Sequence, residues 1–205
     1  MQSGEGLTVS GLAVERSGRP LLTGLAFAIG PGQALAVTGD NGVGKSSLLR
    51  ALAGLLPLAA GHVALRLGRD DNAPLGERLH YLGHGNGLKA GLTAAANLRF
   101  RQRWGGGGTG LSPTDALAAV DLAHCADIPA GLLSAGQKRR VALAALMVSR
   151  RSLWLLDEPA TALDGRAEAT LVSLLAHHLA AGGLAVMALH APLALPMATL
   201  RLGRA

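Results

Sequence analysis

The chain has 205 residues, one cysteine and a formal net charge of +6, with 49% hydrophobic but only 2% aromatic residues. That length suits one well-buried domain, filled by Leu, Ala and Val rather than by rings. The lone Cys125 excludes an internal disulfide and a four-cysteine zinc site, and the basic balance permits nucleic acid, anionic lipid or an acidic protein as partner without choosing among them.

No N-terminal segment combines a basic start with the apolar stretch of a signal peptide. Residues 7–14 and 21–29 read as strands with roughly alternating apolar positions, followed by a Pro31–Gly32 turn. ALAVT at 34–38 is a short apolar run ending at a glycine, as a buried strand would. KSSLLRALAGLL carries helical spacing and is expected to stop at Pro57. Residues 61–67 and 79–83 are further strand candidates. From Leu92 to Arg150 the pattern turns helical. LTAAANLRFRQRW follows Thr93 as N-cap, GGGGTG at 105–110 reads as a flexible connector, and Ser112-Pro113-Thr114-Asp115 opens a capped helix. QKRRVALAALMVSR predicts another helix, over 137–150. A strand at SLWLL, a helix near 165–181, the strand LAVMAL and a closing strand near 199–202 complete the order. His177, His178, Gly182, Gly183, Pro192 and Pro196 interrupt the apolar stretch from Leu171 to Leu200, so no run of about 20 apolar residues remains to span a membrane. Strand–helix alternation at both ends, with a helical insert at about 86–150, predicts a single α/β domain over 1–205 with a mainly parallel core sheet.

Gly39-Asp40-Asn41-Gly42-Val43-Gly44-Lys45-Ser46 fits the phosphate-binding loop pattern and lies between a predicted strand and a predicted helix. Glycines let backbone N–H groups curl around oxyanions, and the helix directs its positive end at them. Lys45 would reach the terminal phosphates, and the Ser46 hydroxyl would ligate magnesium. LWLLDE at 153–158 is an apolar strand ending in two acids. Asp157 would complete the magnesium shell, and Glu158 would polarise the attacking water as a general base. Taken alone, Asp164 reads as a helix N-cap, His190 as a surface histidine at a strand end, and His177-His178 as part of a solvated helix face. Arg99, Arg101 and Arg103 read as a solvated charge run, with an acidic partner as the other reading.

LLSAGQKRR at 132–140 resembles the signature loop of ATP-binding cassette proteins, and Asp157, Glu158, TALD at 161–164 and His190 follow in that family's order. The resemblance covers essentially the whole chain. It implies a P-loop NTPase fold of that type, with an N-terminal antiparallel β subdomain and an inserted helical subdomain. It implies that residues Gly39 to Ser47, with Ser134, Gly136, Gln137 and Asp164, bind ATP across a head-to-tail pair of copies. Lys45, Glu158 and His190 would be catalytic, His190 as the switch histidine at the γ-phosphate, and Ser46 and Asp157 would hold Mg2+.

YLGHGNGLKAGLTAAANLRF is similar to the matching region of the haem-exporter ATPases of the cytochrome c maturation system, through His84, Gly87, Lys89, Leu92, Thr93, Asn97 and Leu98. The short length, the basic pair after LSAGQ and the prompt ending after His190 agree with that subfamily. The resemblance implies partnership with the integral membrane subunits of that complex, at the cytoplasmic face of the bacterial inner membrane, and no nucleic-acid partner. The alternatives are the ATPase subunit of another small-substrate transporter, or a soluble cassette protein acting on nucleic acid or ribosomes. Three residues depart from the family pattern. Gly85 stands where glutamine is usual, Ala96 where glutamate often precedes the Asn, and Arg16 where many cassettes place an adenine-stacking aromatic. A missing neutral hydrogen bond at Gly85 costs about 0.5–1.5 kcal/mol, about an order of magnitude in rate, whereas loss of a general base costs roughly 10²–10⁴-fold. The expectation is a retuned ATPase, not a dead one.

Overall fold

The computed structural model describes residues 5–67, 74–104 and 110–203. The glycine-rich connector at 105–109 lies outside them.

The chain divides into two units. The first holds the N-terminal residues through Tyr81, 152–158 and the segment from Leu175 onward. Its N-terminal strands β1 (Gly6–Arg16) and β2 (Arg19–Ile29) form an antiparallel hairpin, and β4 (Ala60–Arg66) joins the free side of β1 to give the order β2-β1-β4. Residues of β1 alternate between buried and exposed over much of its length, as in a sheet with one wet face. The second sheet has the order β5-β6-β7-β3-β8, with β3 at Ala34–Thr38, β5 at Leu79–Leu82, β6 at Leu153–Asp157, β7 at Leu184–Ala188 and β8 at Ala198–Arg201. Strands β6, β7, β3 and β8 run parallel. Every residue of β6 and β7 is buried, which explains why both read as unbroken apolar runs: parallel strands are covered on both faces.

The helix α1 (Lys45–Leu52) packs against β1, β6 and β7. Its Leu48, Leu49 and Leu52 join Leu7, Leu12, Val37, Leu155 and Val186 in one apolar cluster. The helix stops earlier than the apolar spacing predicts. Ala53 and Gly54 bond back to Leu49 and Ala51 at 2.9 and 3.0 Å, and Gly54 adopts a left-handed φ of 71°. Gly54 therefore ends the helix before Pro57 is reached. A four-residue helix, α2 (Leu75–Arg78), precedes β5 and has no counterpart in the sequence reading.

The second unit spans Leu82–Arg151 and Pro159–Leu174. It is built on α3 (Ala94–Trp104), α4 (Pro113–Ala119) and α5 (Ala135–Ala144), each in contact with the other two. Buried Leu98, Leu117, Leu122, Val141 and Leu143 fill the space among them. Both predicted caps form: Thr93 Oγ1 accepts from Ala96 N at 3.1 Å, and Ser112 Oγ accepts from Asp115 N at 3.1 Å. The helix expected over 137–150 is displaced. It begins at Ala135 and ends at Ala144, where Leu146 and Met147 make tighter bonds to Leu143 and Ala144. The buried Leu146 and Val148 that kept the apolar pattern going belong to the turns that follow. The last long helix, α6, runs Gly165–Ala180.

The His177-His178 pair also differs from expectation. His177 is exposed, but His178 is half-buried in the first unit, its ring stacked on Trp154 at 4.0 Å and 9°. Its Nε2 lies 3.1 Å from the Leu184 carbonyl. Arg101 likewise leaves the solvated run: it is half-buried, and its guanidinium donates to the Gly87 carbonyl at 3.4 Å, while Arg99 and Arg103 stay exposed.

Candidate nucleotide site

Strand register lines up the chemistry. Val37 of β3 is level with Ala188 of β7, which is level with Asp157 of β6. The residues that follow these three parallel strands therefore leave the same sheet edge: the glycine loop, the acid pair, and Leu189 with His190. The carboxyl ends of the strands in an open α/β sheet are where such folds bind ligands.

The loop needs its glycines. Gly39 has a φ of 136°, and a Cβ there would sit 2.5 Å from the Leu202 carbonyl oxygen. Gly44 caps α1 with a φ of 109° and no side-chain bond, and the first turn of α1 carries no acidic residue. The leading N–H groups of α1 are thus left to the loop's own concavity, an arrangement that attracts anions. Asp40, Asn41 and Gly42 are exposed on the loop, Val43 and Gly44 are buried, and Ser46 and Ser47 are half-buried. Lys45 is 6% exposed. Its Nζ donates to the Gly39 and Asp40 carbonyls at 2.7 and 3.0 Å, so the ammonium arches over the loop. Those partners are neutral, and the positive charge is left to act on whatever anion the loop holds.

Ser46 Oγ donates to Asp157 Oδ1 at 3.0 Å, across 111 positions of sequence. A hydroxyl and a buried carboxylate side by side form a hard-oxygen donor set of the sort that Mg2+ takes beside phosphate. The pair fits that ion.

Glu158 holds a left-handed φ of 50°, and its N–H donates to the Ala188 carbonyl at 3.0 Å. A glutamate in this region is uncommon. The bond to β7 fixes it, turning the side chain away from the strand direction. Its Oε1 lies 2.7 Å from His190 Nε2, and the two side chains remain 27% and 47% exposed. The carboxylate is thus held by an imidazole while still open to water.

Ser134, Gly136, Gln137, Asp164 and Gly85 lie in the second unit. Ser134 caps α5 in a reciprocal box: its Oγ accepts from Gln137 N at 3.2 Å, and Gln137 Oε1 accepts from Ser134 N at 2.9 Å. Ser134 and Ala135 are exposed, and the first turn of α5 has no acid. A Cβ at Gly136 would lie 2.9 Å from the Ala162 carbonyl oxygen, so glycine allows the close approach of the 161–164 segment. Asp164 Oδ1 accepts from Ala167 N at 2.8 Å as the cap of α6, the role its sequence position suggests on its own. Gly85 is exposed, with open space where a side chain would begin. Arg16, also exposed, ends β1 opposite Arg19.

Sequence reasoning missed two features. The strain at Glu158 depends on a bond to a strand thirty residues on, which nothing local announces. Arg139 looked like half of a basic pair, yet it is buried at 4% exposure. Its place three and four residues before the buried Ala142 and Leu143, on one face of α5, was the signal. The described residues hold no group of three or more His, Cys, Asp or Glu side chains placed to bind a metal ion.

Phosphate loop, acid pair and histidine on one strand edge, with an exposed capped signature turn, define an ATP-binding cassette ATPase. A family model described as ABC transporter matches residues 22–161. The chain is 48% identical over 200 residues to the cytochrome c biogenesis ATP-binding export protein CcmA of Nitrobacter winogradskyi, covering 97% of this chain and 98% of that one. It is 50% identical over 202 residues to the protein of the same name from Rhodopseudomonas palustris strain BisB18, again covering 97% and 98%. Among solved structures, a putative ABC transporter ATP-binding protein from Pyrococcus furiosus superposes with a TM-score of 0.82 at 21% identity, over 97% of this chain and 98% of that one. A dimeric ATP-binding cassette in a post-hydrolysis state, bound to ADP and Pi, gives a TM-score of 0.77 at 20% identity, over 90% and 88%. The chain belongs to the ABC transporter family, in its CcmA cytochrome c biogenesis branch. It binds and hydrolyses ATP as that family does.

Proposed function

We propose that this chain is the ATP-hydrolysing subunit of a membrane complex for c-type cytochrome biogenesis, coupling hydrolysis to haem export or to release of a haem chaperone. The observation that carries the reading is near full-length identity of 45–50% to proteins named for cytochrome c biogenesis export. Among the described residues no helix is long and apolar enough to cross a membrane. In this reading the chain works from the cytoplasmic face of the bacterial inner membrane, as a peripheral subunit on integral membrane partners docked around residues 85–104, as its likeness to the named export proteins supports.

Two copies would pair head to tail about a twofold axis, each a single nucleotide-binding domain with the helical insert at about 86–150. Each ATP would lie between residues 39–47 of one copy and Ser134, Gly136 and Gln137 of the other, with Asp164 close to that seam. Lys45 stabilises charge on the β- and γ-phosphates. Glu158 accepts hydrogen bonding from the attacking water and takes its proton as the oxygen bonds to γ-phosphorus and ADP departs. His190, 2.7 Å from Glu158, would orient that carboxylate and contact the γ-phosphate. Ser46 and Asp157 would hold Mg2+, which supplies charge neutralisation at the β- and γ-oxygens when bound. Dimer closure on ATP and reopening after hydrolysis would drive the membrane partners.

The test is a haem stain for c-type cytochromes in cells whose only copy of this chain is Glu158→Gln. Loss of covalently attached haem is expected. Normal cytochrome maturation with a hydrolysis-dead subunit would contradict the proposal.

A further inference from the structure

Arg139 lies inside α5, five positions after the Ser134 cap, and its side chain is buried. A guanidinium keeps its charge in any protein interior, so its N–H groups must find acceptors there. Three of those acceptors lie on two separate stretches of chain. Nη1 donates to the Gly83 carbonyl at 3.1 Å and to Asn86 Oδ1 at 2.8 Å. Nε donates to the Pro159 carbonyl at 3.1 Å. Gly83 and Asn86 bracket Gly85, and Pro159 is the residue joined to Glu158.

The 83–86 turn's own bonds include Asn86 N to the Gly83 carbonyl at 3.3 Å and Gly87 N to the Gly85 carbonyl at 2.6 Å. Asn86 holds a left-handed φ of 57°, and Gly85 offers no side chain. Nη1 of the guanidinium grips this turn through one backbone and one side-chain acceptor, and Nε holds the peptide after the general base.

We infer that Arg139 is a positioning residue for ATP hydrolysis: its buried fork fastens the Gly85 turn and the backbone following Glu158 to the helix that begins at Ser134. It acts through Asn86 and Pro159 and leaves ATP binding to the phosphate loop. The inference rests on ATP hydrolysis by this chain and not on what the complex exports, so the cytochrome test can fail without touching it.

Lysine keeps the charge at residue 139 but is a point donor on a flexible stem, unable to hold a planar fork across two segments. In the assembled membrane complex, Arg139→Lys is expected to lower kcat for ATP roughly 10–100-fold, as small misplacements near a reacting centre do. KM for ATP should stay within about threefold, because the binding contacts are untouched. Asn86→Gly removes one acceptor, and glycine is at ease at the left-handed φ of this position, so kcat should fall about 3–10-fold at unchanged KM and nearly unchanged Tm. The double variant should be no slower than Arg139→Lys alone, since both changes break one connection. Three results overturn the inference: an unchanged kcat per folded molecule, a loss carried wholly by higher KM and lower Tm, or losses that multiply in the double variant. If Arg139→Lys does not fold, Asn86→Gly decides alone. A lower kcat at unchanged Tm supports the inference, and an unchanged kcat overturns it.

Discussion

His190 Nε2 stands 2.7 Å from Glu158 Oε1, tying together the chain that leaves β7 and the chain that leaves β6. Because β6 and β7 are paired in register through Asp157 and Ala188, the contact is set by the sheet and not by loop geometry. Glu158→Gln keeps the size and one oxygen but cannot take a proton. Its ATP turnover should fall roughly 10²–10⁴-fold, with nucleotide binding retained. Phosphate release and equilibrium binding of a fluorescent ATP analogue, measured on one preparation, separate the two effects.

Gly85 tests the retuning argument. Nothing lies within 4 Å of a Cβ built there, and its φ falls outside the left-handed region, so a side chain enters without strain. Gly85→Gln should raise turnover by up to about tenfold, the worth of one neutral hydrogen bond near the reaction. Its urea midpoint should match the parent chain. A variant that folds normally and is no faster would mean that the turn has been reorganised around the glycine.

The phosphate loop and the acid pair were legible because their chemistry demands fixed spacing. Gly39, Lys45, Ser46 and Asp157 stand out as candidates from spacing alone, and the structure brings Ser46 and Asp157 side by side. Elements whose ends depend on tertiary packing were less so. The apolar pattern continues past Ala144 through buried Leu146 and Val148, so periodicity alone could not see α5 stop. His178 reads as half of a polar pair on an amphipathic helix, and only the position of Trp154 explains its burial. Arg139 shows the limit from the other side: burial of a charge depends on acceptors far away in sequence, Gly83, Asn86 and Pro159 among them.

Gly39→Ala should destabilise the fold by at least about 2 kcal/mol, from a disfavoured backbone angle and a methyl group 2.5 Å from the Leu202 carbonyl oxygen. A lowered urea midpoint at unchanged m-value is the expected result. Recovery of the midpoint by saturating ATP would not be expected, because the same methyl group distorts the loop.

Burial pushes the His178 imidazole below its usual range; the Leu184 carbonyl opposes that shift and His177 adds to it. The unfolded chain therefore binds a proton that the folded chain refuses. Stability from this group is fully present above the unfolded value, about 6.5, and is lost as pH falls below it. Tm should drop between pH 7.5 and 5.5. His178→Phe retains a ring against Trp154 and cannot titrate, so its Tm should drop less over the same interval. Parallel slopes for the two proteins would remove His178 from the explanation.

The left-handed backbone at Glu158 sets a limit on engineering. Glycine would sit there more comfortably, since a non-glycine residue in that region costs about 1 kcal/mol or more, but it would remove the general base. Selection for heat tolerance alone would thus drift toward an inert protein. Any directed-evolution campaign on this chain must screen for phosphate release beside survival of the fold.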